Sequence, residues 1–149
     1  MSLQAYISFM RNEMSSIEEI VENIIKDNKG KILSMIKLRL YQRGIDGDGN
    51  KITPEYTSIT VSNKKDKRQI TSHVTLRDTG EWYKSFYVYY DNGEIIVSSN
   101  SFKTSQLVEK YGESILELTD QEIQLIINAI IEPELIRRIN SFTQIEIDF

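Results

Sequence analysis

The sequence predicts an α+β fold with N-terminal helices, a small antiparallel sheet built around a β-hairpin at about residues 86–99, and C-terminal helices. Apolar residues recur at helical spacing over 17–41 and again over 123–139. β-branched and aromatic residues are concentrated between these two segments, in 86–99. A strand pair lying between two helical segments is typical of the α+β class.

The hairpin is the best-defined element of the sequence. Residues 86–90 favour a strand, Asn92-Gly93 is the pair preferred in tight hairpin turns, and 94–99 supply the second strand. Alternation places Phe86, Val88 and Tyr90 on one face, and Tyr87 and Tyr89 on the other. Because neither face is plainly polar, we expect both faces to be covered.

The helical segments carry start and stop signals. Ser16 and Glu19 form a capping box, which predicts that the first helix begins there. Residues 27–30 interrupt the apolar pattern, so either two helices meet at this point or one long helix bends, and Gly44 ends the pattern.

The C-terminal part of the chain also carries helix start and stop signals. Thr119 and Glu122 form a second capping box, and Pro133 is expected to end or kink the helix that follows. Residues 143–149 alternate apolar and polar side chains, which predicts a terminal strand that pairs with this sheet or with the edge of another chain.

The chain of 149 residues is most simply one domain. We divide it into an N-terminal arm or short helix at 1–15, a single α+β domain at 16–142, and a C-terminal tail or strand at 143–149. The absence of cysteine excludes disulfides, and we expect no signal peptide and no membrane span.

The charge pattern argues against a dedicated nucleic-acid binder. The formal net charge is -4, although Lys64, Lys65, Lys67 and Arg68 form a local basic run. We interpret this run as a solvated loop, and contact with phosphate is the alternative. The preceding residues, 55–63, are compatible with either a strand or a helical turn.

The loop after Gly44 contains acids at the spacing of a calcium site. Asp46, Asp48 and Asn50 match the first, third and fifth ligand positions of a calcium loop, but Lys51 and Thr57 replace its glycine and its bidentate glutamate. We therefore predict a turn and no metal site.

Catalytic constellations are missing from the sequence. His73 is the only histidine, there is no cysteine, and no serine lies in a nucleophile-elbow context. No glycine-rich phosphate loop is present. We accordingly expect no catalytic residue, no cofactor and no enzymatic activity; a metal-dependent phosphoryl-transfer enzyme that uses Asp46 and Asp48 remains a distant alternative.

The aromatic residues of the hairpin region are expected to fill both the core and a subunit interface, and the apolar ends of the chain are further candidates for subunit contacts. Exposed aromatic side chains are typical of interfaces, and the N-terminal arm and the C-terminal strand are apolar segments suited to clasping a neighbour. The Asp78-Thr79-Gly80 turn is interpreted as structural, with Asp78 as a possible cap for a helical turn at 81–85. The candidate interface residues are Tyr6, Phe9, Trp82, Tyr87, Tyr89, Ile145, Ile147 and Phe149.

Three segments in this order resemble a known family. They are YQRGIDGDGNKITPEYTSIT, HVTLRDTGEWYKSFYV and SFKTSQLVEKYGESILELTDQEI. Together they resemble small virion proteins of tailed phages that infect Bacteroidetes, including crAss-like phages. The Asp78-Thr79-Gly80 turn, followed by an aromatic residue, Ser85 and a strand, is more loosely similar to the neck and tail-completion proteins of long-tailed phages. The resemblance covers about residues 16–140.

The resemblance implies a structural protein of the head-tail connector region. Such a protein forms a homo-oligomeric ring, here expected to have six or twelve copies, in the virion. Its partners are the portal or adaptor and the tail proteins, and DNA passes through the ring without sequence-specific binding. The alternative is a small soluble protein-binding or regulatory module, without catalytic activity, that engages its partner through the aromatic hairpin.

Overall fold

The first helix is longer than the sequence pattern predicts. The computed structural model describes the backbone of residues 2–147, and the side chains of this range other than those at positions 9, 10, 14 and 142–147. Helix α1 spans Leu3–Asp27, and the Ser2 hydroxyl caps it by accepting a hydrogen bond from the Ala5 N–H at 3.1 Å. The predicted start at Ser16 is wrong, because Ser16 lies inside the helix and donates to the Asn12 carbonyl. Residues 3–15 are therefore the first half of α1.

The interruption at 27–30 separates two helices. Helix α2 spans Lys29–Leu38, and Asn28 leaves helical geometry between α1 and α2. The Asn28 amide donates to the Ile24 carbonyl at 2.8 Å and so satisfies one of the carbonyls that the end of α1 leaves open. A π-helical turn, Arg39–Arg43, follows α2 and ends at Gly44 in the left-handed conformation, as the sequence predicts.

Glycine is required at position 44 for two reasons. Its φ of +61° is a backbone conformation that favours glycine, and an added Cβ would lie 2.7 Å from the His73 ring. The Nε2 atom of His73 donates to the Tyr41 carbonyl at 2.7 Å. The histidine thus holds the end of the π-helical turn.

The middle of the chain contains two short helices. Helix α3 spans Ser58–Asp66 and is capped by the Thr57 hydroxyl, so the ambiguous segment is helical. Helix α4 spans Glu81–Lys84, as predicted, but Asp78 does not cap it. Instead, the Thr79 hydroxyl accepts a hydrogen bond from the Glu81 N–H at 3.3 Å.

The hairpin agrees with the prediction. Strand β1 spans Phe86–Asp91, strand β2 spans Glu94–Ser99, and they pair antiparallel from Phe86↔Ser99 to Asp91↔Glu94. Asn92 and Gly93 both have positive φ, which is the geometry of a type I′ turn. The two strands form the sheet of the described part of the chain. The predicted α+β class, with helices on both sides of the hairpin in sequence, is confirmed.

The C-terminal part is helical throughout residues 120–147. The π-helical turn of this part directly precedes α7, and Pro133 is the second residue of α7. The sequence predicts an interruption at Pro133, because proline lacks an N–H for the helical hydrogen bonds. The predicted strand at 143–149 is wrong for residues 143–147, which belong to α7, and the last two residues lie outside the described range. The elements are α5 (Thr104–Tyr111), a 3₁₀ turn (Glu113–Leu116), α6 (Asp120–Ile126), a π-helical turn (Ile127–Ile131) and α7 (Glu132–Ile147).

The core lies where α1, α2 and the C-terminal helices meet the inner face of the hairpin. Its fully buried side chains come from segments far apart in sequence, so the core forms only when all of them are in place. The largest apolar side chains that are fully buried are Ile24, Ile25, Ile32, Ile36, Leu40, Ile52, Ile115 and Ile126. No helix within residues 2–147 combines the length and the apolar character needed to cross a bilayer.

Candidate interaction surfaces

The outer face of the hairpin is an exposed aromatic surface. Strand alternation turns Phe86 into the core and directs Tyr87 and Tyr89 outward, where they are 38% and 42% exposed. Their rings stack with centroids 5.9 Å apart. Ile96 stands directly opposite Tyr89 on β2 and shares this face. We call Tyr87, Tyr89 and Ile96 the outer sheet face. The sequence predicts that both faces of the hairpin are covered, but within the described chain this face is exposed.

Trp82 does not belong to any exposed surface. The predicted interface residue is only 3% exposed, and its ring packs edge-on against Phe86 at 4.6 Å. Its indole N–H donates to the Thr104 hydroxyl at 3.1 Å, so the polar end is also satisfied. Helix α4 turns the side chain inward, which makes Trp82 a core residue.

The N-terminal half of α1 is a second exposed apolar surface. Every described side chain from Ser2 to Glu19 is exposed, and the large apolar ones are among them. Tyr6 and Ile7 lie three and four residues after Leu3, and Ile17 lies ten residues after Ile7, so these apolar positions share one side of the helix. We call Leu3, Tyr6, Ile7 and Ile17 the α1 seam; their exposed fractions are 74%, 52%, 40% and 40%.

The remaining predicted interface residues cannot be placed on a surface. The side chains of Phe9, Ile145 and Ile147 and the whole of Phe149 lie outside the described residues. Of the predicted interface residues with described side chains, Tyr6, Tyr87 and Tyr89 are exposed and Trp82 is buried.

The basic run folds onto the Asp78 turn and is not a solvated loop. Lys64 is buried at the end of α3, donates to the Arg77 carbonyl at 2.6 Å, and lies over the Tyr56 ring. Lys67 pairs with Asp78 at 3.0 Å and holds the pKa of that carboxyl below its usual range. Lys65 and Arg68 are the members of the run that remain exposed without such a partner among the described residues.

A cationic cleft lies on the other side of this turn. It has a volume of about 490 Å³ and is bordered by three cations, Lys37, Arg77 and Lys84, and no carboxylate lines it within the described part of the chain. The Arg77 guanidinium donates to the Tyr41 hydroxyl at 3.2 Å and lies over that ring. The positive φ of Gly80 bends the backbone into the cleft wall. Such a cleft favours an anionic ligand on electrostatic grounds.

Burial perturbs the hydroxyl of Tyr83, which lies behind this cleft. Tyr83 donates to the Thr75 carbonyl inside the core. Burial, together with the nearby hydroxyls of Tyr56 and Tyr41, raises the pKa of Tyr83 above its usual range. The group therefore remains a neutral donor over the whole physiological range.

The acidic loop at 44–51 uses its carboxylates internally. Asp46 accepts hydrogen bonds from the N–H groups of Asp48 and Asn50, and from the Ser114 hydroxyl. Gly47 lets the loop approach the 3₁₀ turn, because an added Cβ would lie 2.7 Å from Glu117. Among the described residues, no group of three or more histidine, aspartate or glutamate side chains is arranged around a possible metal position.

A buried ion pair is the feature that sequence reasoning missed. Arg39 is 5% exposed and pairs with Glu122; it also donates to the carbonyls of Ile45 at 3.0 Å and Glu117 at 2.8 Å. One arginine thus connects the π-helical turn, the acidic loop and the start of α6. Its position seven residues after Ile32, on the apolar side of the helical pattern, is the signal that indicates a buried partner.

Comparison with known proteins finds a similarity that covers part of this chain. Part of this chain is similar to hydroxyethylthiazole kinase 1 of Oceanobacillus iheyensis, with 33% identity over 91 residues. The match covers 54% of this chain and 35% of the relative, so the chain corresponds to about a third of that protein's length. No family model matches the chain, and no solved structure matches it.

This relative contradicts one expectation from the sequence. The chain was expected to have no enzymatic activity, because catalytic constellations are missing from its sequence. The protein to which part of it is similar is a kinase. That expectation is therefore wrong, since the similarity to a kinase points weakly to enzymatic activity.

Proposed function

We propose that this protein is a component of the phage head-tail connector, neck or tail-completion region and assembles into a ring. The observation that supports the proposal is the pair of exposed apolar surfaces, the α1 seam and the outer sheet face. Exposed apolar patches with aromatic residues are typical of protein-protein interfaces. The family resemblance of residues 16–140 supplies the type of assembly.

The two surfaces are different patches of the chain, and a head-to-tail contact joins different patches. The inner side of the hairpin packs toward α1, and Tyr90 on that side donates to Glu18 of α1 at 2.6 Å. Tyr87 and Tyr89 point to the opposite side of the sheet. A contact between different patches on successive copies is heterologous, and it closes into a ring when the rotation per copy divides a full turn.

In this proposal, the α1 seam of one copy packs on the outer sheet face of the next. Six or twelve copies would surround the path of DNA in the virion, and portal or adaptor and tail proteins would bind above and below. DNA would pass without sequence-specific contact. The net charge of -4 favours a passage that does not hold the phosphate backbone tightly.

The first experiment is a mass measurement by light scattering at increasing protein concentration, followed by negative-stain imaging. Leu3→Glu with Ile7→Glu should abolish assembly through the seam, and Tyr87→Ser with Tyr89→Ser should abolish it through the sheet face. The charge-matched control is Ala5→Glu with Asn12→Glu, which adds two carboxylates to other exposed positions of α1.

Mixing the two defective variants distinguishes a head-to-tail contact from a symmetric one. Each variant retains one intact surface, so the mixture should form a 1:1 dimer that grows no further. A wild-type protein that stays monomeric alone and with virion particles contradicts the proposal and favours a protein-binding module. The proposal is also contradicted if each of the two double variants still assembles as the wild type does.

A second candidate function, phosphoryl transfer, is favoured by the partial similarity to a kinase. We infer that the cationic cleft at Lys37, Arg77 and Lys84 would hold the phosphate groups of a nucleotide in that case. Three cations without a lining carboxylate suit a polyphosphate. The acidic loop is a poorer location, because the Asp46 carboxylate already accepts three hydrogen bonds.

The test is turnover of ATP with hydroxyethylthiazole, measured as formation of ADP and of the phosphorylated thiazole. Lys37→Ala with Lys84→Ala should abolish turnover, whereas the control pair Lys65→Ala with Arg68→Ala removes two exposed cations elsewhere and should leave it unchanged. If the wild-type protein neither binds ATP nor turns it over, this second candidate is ruled out.

A further inference from the structure

Neither edge of the two-stranded hairpin has a strand beside it in the described part of the chain. The sheet contains only β1 and β2, so β2 pairs on one side and has a free edge on the other. In an antiparallel pair, every second residue directs its N–H and C=O groups to the partner strand. The residues between them direct these groups away from it. The two-residue turn makes Asp91↔Glu94 a hydrogen-bonded pair, so Ile95 and Val97 direct their N–H and C=O groups outward.

These outward groups have no hydrogen-bond partner among the described residues. Main-chain groups in a partly buried position are normally paired, because leaving them unpaired away from water is unfavourable. Val97 is buried and Ile95 is half-buried. The free edge is therefore a template for one more strand.

An apolar groove runs along this edge. It has a volume of about 940 Å³ and separates β2 from the helices on the far side. Most of its lining is aliphatic, and the far wall is supplied by three separate segments of the chain. Typical members of that wall are Val21, Val108, Leu116, Ile123 and Ile127.

The charged residues of the groove have one sign. Glu94, Glu113 and Glu117 line it, no lysine or arginine does, and their carboxylates have no ion-pair partner among the described residues. Such a rim attracts a ligand that carries positive charge.

We propose that this groove binds an extended segment of a partner protein as a third strand beside β2, and that the segment is apolar at alternate positions and carries lysine or arginine at its ends. Main-chain hydrogen bonds to Ile95 and Val97 supply the pairing, the aliphatic wall takes alternate side chains, and the carboxylates hold the basic ends. The inference rests on the edge of β2, whereas the ring contact uses the outer face of the hairpin and the α1 seam; Ile96 lies at the border of the two sites.

The probe is a dye-labelled synthetic peptide of seven residues in which valine alternates with threonine and lysine occupies both ends. Binding is followed by fluorescence polarisation. We expect binding that weakens with added salt, and weaker binding of the same peptide with glutamate ends. Two forms of the peptide, N-methylated along opposite edges, should differ in affinity, because only one edge of the peptide pairs with β2.

The decisive variants change the strand edge. Ile95→Pro removes the outward N–H and leaves the hydrogen bonds to β1 in place, since proline is tolerated at strand edges. Ile95→Ala trims the same side chain and keeps the N–H, so it is the matched control. We expect a loss of about tenfold or more in affinity for the proline variant relative to the alanine variant, and protection of the Ile95 and Val97 amides from hydrogen exchange on binding.

Each other outcome overturns the proposal. Equal affinity for both Ile95 variants, or for both N-methylated peptides, would mean that the peptide does not pair as a strand. No binding of the lysine-ended peptide at millimolar concentration would mean that the groove does not take such a segment. Self-association that Ile95→Pro abolishes would identify a second copy of this chain as the occupant.

Discussion

The buried ion pair between Arg39 and Glu122 gives the sharpest stability prediction. Replacing Arg39 by methionine keeps much of the side-chain volume but leaves the Glu122 carboxylate in the interior without its cation. The second oxygen of Glu122 is already buried without a hydrogen-bond partner among the described residues. Two carbonyls, those of Ile45 and Glu117, lose their donor as well.

The expected magnitude follows from these losses. Breaking a buried pair by removing one partner costs about 3–5 kcal/mol. The reverse change, Glu122→Met, should cost less, because Arg39 keeps its two carbonyl acceptors. The double variant should be more stable than Arg39→Met alone, since it no longer buries an unpaired carboxylate.

The assay is urea unfolding monitored by fluorescence of Trp82, which is the only tryptophan of the chain and is buried. Circular dichroism gives the same free energy of unfolding if the transition is two-state. Glu122→Gln keeps the shape of the side chain and removes its charge, so it is the conservative control. The reasoning is refuted if Arg39→Met lowers the free energy of unfolding by less than about 1 kcal/mol, or if the costs of the two single variants simply add.

Three further predictions concern single side chains. Burial raises the pKa of Tyr83 above the unfolded value of about 10, so its contribution to stability is full below that pH and is lost as pH rises toward the folded pKa. Tyr83→Phe should flatten the fall in the free energy of unfolding at high pH, measured by urea titration. Gly44→Ala should lower the melting temperature, because the left-handed φ costs about 1–2 kcal/mol and the added Cβ meets the His73 ring, whereas a fall of less than 1 °C would contradict this reasoning. Asp78→Asn should cost less than about 1 kcal/mol, since the pair with Lys67 is exposed. Because the pKa of Asp78 is lowered in the folded state, that small contribution is present above about pH 4 and is lost as pH falls; pH-dependent melting checks both points.

Local signals predicted those parts of the fold that depend on neighbours in sequence. The Asn92-Gly93 turn requires two positive φ angles, and it set both the position and the register of the hairpin. Thr119 accepts from the Glu122 N–H at 3.0 Å, as its capping box predicts. Gly44 ends the π-helical turn. Alternation along β1 also placed Tyr87 and Tyr89 on one face.

Other local signals were overruled. Ser16 satisfies the rule for a helix start, but Ser2 caps the same helix fourteen residues earlier and α1 continues through it. Residues 143–147 alternate like a strand, yet they continue helix α7, so the alternation did not decide their structure.

The sequence by itself determined the hairpin with its turn, the helix start at Thr119, and which tyrosines share a face of β1, because each of these depends on close neighbours in sequence. Only the tertiary structure decided that Trp82 and Lys64 are buried and that Arg39 meets Glu122, 83 positions away. It also decided that the edge of β2 borders an apolar groove. Burial and pairing of this kind depend on the packing of distant segments, which a single sequence does not record.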